Sequence, residues 1–282
     1  MVLNTKIDKY GVRHRLMQQA SSETEDNFDW VFIPGGPGAD SIYFIELTKY
    51  LELPGNIWFL DFPGNGTNDT SIDYNFDIWL DIFEDVMLSF KNPILIGHSC
   101  GGCFALLSPK MEKILAGFVM FCVPPKLWLS HAVQYAKEQQ LPDISIPMST
   151  FINNPTQENF DNALLACSDY YFAPTHLEIG RKMLSNIPFR FRPAVWWQKK
   201  VVDINYNSKW IPQKVPTLII TGEYDAMVPD NLVNETFSIS TLQSNIIRET
   251  IKGAGHFPWI EQPKHITEIF SKFKKKLRIP QK

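Results

Sequence analysis

The sequence predicts an α/β fold, a mainly parallel sheet with helices on both faces and a helical insertion over its carboxyl edge. Three observations predict it. Short apolar runs recur along the chain, each followed by a glycine-rich or polar loop and then by a segment of helical period. The run Ile94-Leu95-Ile96 is continuous rather than alternating, as suits a strand buried on both faces. The alternation then fails over about 123–213, a stretch rich in aromatic residues and prolines, and resumes after it.

In order, Trp30-Val31-Phe32-Ile33 runs into PGGPG, and Ile57-Trp58-Phe59-Leu60 runs into DFPGNG. Pro93 to Ile96 runs into GHSCGG, and Gly117 to Phe121 into CVPP. After the break, Thr217-Leu218-Ile219-Ile220 runs into TGEYD, and Ile246 to Ile251 into KGAGH. Asp77 to Phe90 and Pro263 to Leu277 carry apolar residues at helical spacing. Within the break, Gln157 to Ala166 and Leu177 to Leu184 read as helices. The chain therefore divides into a core of 1–122 and 214–282 and a helical lid of 123–213. Open sheets of this kind carry their functional groups in loops beyond the carboxyl ends of strands, where all the unusual loops fall.

With 282 residues, 44% hydrophobic and 20% charged, the composition is that of a globular protein. A formal charge of −3 gives no reason to expect nucleic acid as a partner. No apolar run approaches the roughly 20 residues of a membrane span, and MVLNTKIDKYG lacks the apolar core of a signal peptide. A cytoplasmic protein without a membrane partner is expected. The basic stretch Lys272 to Arg278 reads as the solvated face of the last helix. The four cysteines make no disulfide framework, and Cys100-Gly-Gly-Cys103 has no second ligand pair to complete a zinc site. Both cysteines read as small buried residues, and no metal or cofactor is expected.

Gly97-x-Ser99-x-Gly101 is the spacing of a strained strand-to-helix turn that pushes a serine hydroxyl out of the backbone. Serine needs a base within hydrogen-bond reach, and the base needs an acid to fix its tautomer. Of six histidines, only His256 follows a predicted strand inside a loop of small residues, Gly253-Ala254-Gly255-His256. His98 adjoins the serine, but neighbouring side chains on a sharp turn diverge. The loop Gly222-Glu223-Tyr224-Asp225 offers two acids; Asp225 lies deeper and is the candidate, with Glu223 as the alternative. An oxyanion needs two donors, one of them the N–H of the residue after the nucleophile, Cys100. The other comes from Pro34-Gly35-Gly36-Pro37-Gly38, whose prolines have no N–H; Gly36 is favoured over Gly35 and Gly38.

The set PGGPG, DFPGNG, GHSCGG, GEYD and GAGHFPW, in this order and spacing, resembles the α/β-hydrolase superfamily over nearly the whole chain. Within it the chain is similar to the proline iminopeptidase branch, whose first loop is typically His-Gly-Gly-Pro-Gly and whose lid often holds a Tyr-Phe pair. Here the lid has Ser168-Asp169-Tyr170-Tyr171-Phe172. The resemblance implies the α/β-hydrolase fold with Ser99 as nucleophile, His256 as base, Asp225 as acid, and the amides of Gly36 and Cys100 as oxyanion donors. It makes Asp61 and Asn65 of DFPGNG parts of a structural turn.

The departures bear on substrate. Pro34 stands where the branch has histidine, and Ser168 where it commonly has an amine-binding glutamate. Ala226 follows the candidate acid where some members carry another glutamate. A buried ammonium without a carboxylate partner is costly, so Asp169, Glu178 or Asp203 would have to substitute. Trp128, Tyr170-Tyr171-Phe172 and Trp196-Trp197 either line an apolar acyl pocket or form the lid's own core. The expected activity is cofactor-independent hydrolysis of a small amide or ester, or a short peptide, through an acyl-enzyme. The resemblance implies an N-terminal aminopeptidase, with a carboxylesterase for apolar acyl groups as the alternative and a non-catalytic small-molecule sensor on the same fold as the alternative of another class.

Overall fold

The apolar runs are strands in the computed structural model, which describes residues 2–20, 28–68 and 75–277. They are β3 (Phe28–Ile33), β4 (Gly55–Asp61), β5 (Pro93–His98), β6 (Gly117–Phe121), β7 (Thr217–Gly222) and β8 (Ile246–Ile251). Two further strands, β1 (Asn4–Ile7) and β2 (Arg13–Gln18), precede them. The eight form one sheet in the order β1-β2-β4-β3-β5-β6-β7-β8. Pairs β1·β2 and β2·β4 are antiparallel and all the others parallel.

The continuous hydrophobicity of the central strands follows from burial on both faces, since successive side chains point to opposite sides. Val31, Leu95, Met120 and Ile219 join one core layer with Trp79, Phe83 and Phe104. Those three come from the helices Ile78–Leu88 and Cys100–Leu106. Trp30, Phe32, Ile94, Ile96, Val119, Leu218 and Ile220 join the other layer, against Ile266, Ile269, Phe270 and Phe273 of the helix Pro263–Lys274.

Neither β1 nor β2 is written as an apolar run; β1 is exposed, and in β2 the reason is a buried cluster of charges. Arg13 and Arg15 occupy β2 where apolar residues would announce a strand, and they point into a buried cluster of charges. Arg15 bonds both Asp40 and Asp61 at 2.7 Å, and Arg13 bonds them at 3.1 and 2.9 Å. The hydrogen bonds from Arg15 and Thr67 hold the Asp40 carboxyl well below the usual range, against the effect of burial. This network fixes the DFPGNG loop to β2 and to the turn at Asp40, the structural role expected for Asp61.

Between β6 and β7 lie six α-helices, from Leu129–Glu138 to Phe191–Asp203. They include Gln157–Ala166 and Leu177–Asn186, where helical period predicted them. Among the described residues, no helix is long and apolar enough to cross a membrane. Lys272 and Lys274 close the last helix, with Lys272 exposed; Arg278 lies outside the described residues.

Candidate active site

Ser99 sits between the last residue of β5 and the first residue of the helix Cys100–Leu106, with φ 49° and ψ −126°. A non-glycine residue at such a backbone angle stores about 1–3 kcal/mol that the surrounding packing must hold. The glycines allow the strand and helix to approach. A β-carbon on Gly97 would lie 2.5 Å from Gly102 Cα, and one on Gly101 would lie 2.5 Å from the carbonyl oxygens of Ile33 and Pro34. The Ser99 N–H donates to Phe121 O at 2.9 Å, tying the turn to β6.

Asp225 and His256, on loops after β7 and β8, meet. His256 Nδ1 lies 2.8 Å from Asp225 Oδ2, and both side chains are buried. Asp225 Oδ1 accepts the N–H groups of Met227 and Val228 at 2.9 and 2.8 Å, so the carboxylate is fixed at both oxygens. An acceptor on Nδ1 places the proton there and leaves Nε2 as the basic nitrogen. Glu223, the alternative acid, is exposed and accepts the Gly253 N–H at 2.8 Å. It is not part of this pair. Ser99 and His256 line one cavity of about 70 Å³, together with Gly35, Gly36, Trp128 and Tyr171. A larger concavity of about 620 Å³ lies at the amino ends of β6, β7 and β8, remote from these side chains.

The glycine loop after β3 is held by two groups that sequence reading did not assign to it. Gly35 N–H donates to the Tyr43 hydroxyl at 2.6 Å, and Gly38 N–H donates to Asn65 Oδ1 at 2.8 Å. Pro34 and Pro37 lack an N–H, and among the described residues the Gly36 amide has no such partner; Gly36 lines the same cavity as Ser99. Asn65 is thus more than a turn residue; it braces this loop.

The Tyr43 hydroxyl in turn donates to His98 Nδ1 at 2.7 Å. His98 Nε2, which therefore carries the proton, donates to the His256 carbonyl at 3.0 Å. Burial, and then the neighbouring His256, push His98 well below the ordinary imidazole range, so it is neutral. One buried chain of hydrogen bonds thus links the glycine loop to the His256 backbone. Replacing Tyr43 by Phe leaves Gly35 N–H and His98 Nδ1 without partners. A loss of about 1–3 kcal/mol is expected for each unsatisfied group, read as a lower Tm.

The insertion is bonded to both loops. His256 N–H donates to Tyr171 O at 2.6 Å, and Ala226 N–H donates to Tyr170 O at 3.0 Å. The buried Glu261 accepts Ala173 N–H at 2.8 Å through one oxygen and Gly255 N–H at 2.7 Å through the other. Glu261 was invisible as a site residue in sequence because nothing local marks a glutamate on a four-residue helix as buried.

The acids considered for amine binding are elsewhere. Ser168 is buried and donates to Leu165 O at 2.5 Å. Asp169 pairs with Arg181 at 3.0 Å, and Glu178 and Asp203 are exposed. None of them lines the cavity, and among the described residues its lining contains no carboxylate. Trp128 and Tyr171 line it, while Phe172 and Trp197 belong to the core.

Cys122 Sγ, Asp225 and His256 place ligand-type atoms within 4.8 Å of one another. The Asp225–His256 hydrogen bond already pairs two of them, and burial holds the Cys122 thiol well above its ordinary pKa, in the form that ligates poorly. Cys100 and Cys103 are free and buried.

The sequence matches the model of the alpha/beta hydrolase family over residues 30–267. The chain belongs to that family. No curated protein sequence matches it. Among solved structures it is similar to a proline iminopeptidase-related protein from Thermus thermophilus, at 16% identity and TM-score 0.69, covering 97% of this chain and 98% of that one. It is also similar to an esterase from Exiguobacterium antarcticum, at 14% identity and TM-score 0.65, covering 96% and 99%. The proline iminopeptidase of Mycobacterium smegmatis matches at 15% identity and TM-score 0.63, covering 97% and 98%. Identities this low report a shared hydrolase fold.

Proposed function

We propose that this alpha/beta hydrolase is a serine carboxylesterase for apolar acyl groups. The observation that carries the choice of ester over N-terminal amide is the lining of the cavity shared by Ser99 and His256. Around Ser99 and the two histidines it is mostly apolar and aromatic, and among the described residues none of its lining is a carboxylate that could pair with an α-ammonium. In the proposed reaction, Ser99 Oγ attacks the ester carbonyl carbon and its proton passes to His256 Nε2. Asp225 holds Nδ1–H and stabilises the imidazolium. The carbonyl oxygen becomes an oxyanion between the N–H groups of Gly36 and Cys100. The intermediate collapses as the C–O bond to the alcohol breaks, and His256 returns its proton to the departing oxygen. Water, deprotonated by His256, then cleaves the acyl-enzyme and restores the serine.

Turnover of p-nitrophenyl esters beside proline β-naphthylamide tests the reading, with fluorophosphonate labelling of Ser99 as a second readout. Ester turnover and labelling are expected, both lost in Ser99→Ala. Aminoacyl-amide turnover without ester turnover would favour the aminopeptidase. A folded chain that never labels would favour the sensor.

A further inference from the structure

A second cavity, of about 340 Å³, opens between the insertion helices Gln157–Ala166 and Leu177–Asn186 and the segment 187–190. It shares Leu164, Leu184 and Phe189 with the cavity at Ser99. The two spaces therefore meet at one wall of apolar side chains. Leu184 is buried, while Leu164 and Phe189 are half-buried. Beyond the wall, Ile187 is buried, whereas Asp161 and Ser185 are exposed. The outer space thus grades from an apolar depth to a polar rim. It exceeds the inner one about fivefold, from 340 against 70 Å³.

Phe189, one of the three wall residues, stands beside the glycine loop. A β-carbon on Gly36 would lie 3.4 Å from Phe189 Cε1. The residues flanking Phe189 bond the same loop: Arg190 N–H donates to Gly38 O, and Asp40 N–H donates to Pro188 O, both at 3.0 Å. The His256 side is walled instead by Tyr171 and Phe257, whose rings pack on the imidazole. In acyl transfer the leaving oxygen must lie within reach of the base that protonates it, so the alcohol points toward the base and the acyl substituent away from it.

We propose that the acyl chain of the ester passes between Leu164, Leu184 and Phe189 into the outer cavity, which makes medium-chain fatty acyl esters the substrate class. The inference rests on Ser99 and His256 being nucleophile and base. The inner cavity takes the reacting carbonyl, the wall grips the first methylenes, and the outer cavity takes the rest of the chain. Burial of each added methylene favours the longer chain about fourfold, so the three wall residues and the space behind them set the chain-length preference.

The test is kcat/KM on p-nitrophenyl acetate, butyrate and octanoate, and on octyl acetate, for the wild-type chain, Ser185→Trp and Leu184→Ala. Ser185→Trp fills the outer cavity from an exposed helix position and is expected to lower the octanoate-to-acetate ratio about tenfold or more. Leu184→Ala opens the wall and is expected to raise that ratio. Unchanged ratios in both variants, with Ser99 still labelled by a fluorophosphonate, overturn the proposal. So does a shift confined to acetate esters of longer alcohols, which would put the alcohol in the outer cavity. Sodium octanoate supplies a readout free of catalysis: Ser99→Ala protein is expected to bind it, and Ser99→Ala/Ser185→Trp to lose that binding. A wild-type chain that neither labels nor turns over any ester overturns the hydrolase reading, while octanoate binding still decides whether the outer cavity takes an acyl chain.

Discussion

Asp225→Asn is expected to lower ester turnover by about 10⁴, with little change in stability and with the substrate still bound. The expectation follows from how the side chain is held. Asp225 is fully buried, one oxygen accepts two backbone N–H groups, and the other faces His256 Nδ1 at 2.8 Å. An asparagine can keep its carbonyl oxygen toward the two N–H groups, which then presents its NH₂ to the imidazole. That amide donates where the carboxylate accepted, so the proton moves to Nε2 and the base is lost. Glu223→Gln supplies the comparison. Glu223 is exposed and bonds Gly253 N–H, and its replacement is expected to leave turnover near wild type. Kinetics on one p-nitrophenyl ester decide the matter. A silent Asp225→Asn with a crippled Glu223→Gln would show that the acid had been misassigned.

Glu261→Ala is expected to be the most destabilising single change near the site. Glu261 accepts the N–H groups of Ala173 and Gly255, and its replacement leaves these donors unpaired in a buried place. At about 1–3 kcal/mol for each of the two donors, the loss is on the order of 2–6 kcal/mol. For a chain of this length that corresponds to a fall in Tm on the order of 10 °C, measurable by calorimetry. Activity is expected to fall as well, since Gly255 precedes His256 and Ala173 belongs to the insertion.

Glu261 also gives stability a pH dependence. Burial pushes its carboxyl up from 4.5 to about 7, against backbone hydrogen bonds that favour the anion. A carboxyl raised in the folded state binds its proton more tightly there than in the unfolded chain. Its contribution is therefore full below the ordinary pKa and is lost as pH rises through about 7, an effect of about 3 kcal/mol. Melting wild type and Glu261→Gln from pH 5 to 8 checks the sign. The wild-type Tm is expected to fall more steeply over this window, because glutamine does not titrate.

Legibility in the sequence followed the range of the physics. The parallel strands were legible because each is buried on both faces and so is written as an uninterrupted apolar run. The turn at Ser99 was legible because the approach of β5 and its following helix admits only glycine at two nearby positions. Strand β2 was not, because its buried face is filled by Arg13 and Arg15 and becomes tolerable only when Asp40 and Asp61 arrive from elsewhere in the chain. Tyr43 and Glu261, and the bracing of the glycine loop by Asn65, are not legible for the same reason. Each acts through partners distant in sequence, and the residue type by itself says nothing about them.

The hydrolase fold, the strained serine turn and the order of serine, acid and histidine along the chain are all written in local spacing and in the period of hydrophobicity. Which acid faces His256, which glycine amide is left without a partner, and what lines the cavity are not written there. Such choices depend on which hydrogen bonds other residues have already taken, and that is settled only when segments remote in sequence pack together.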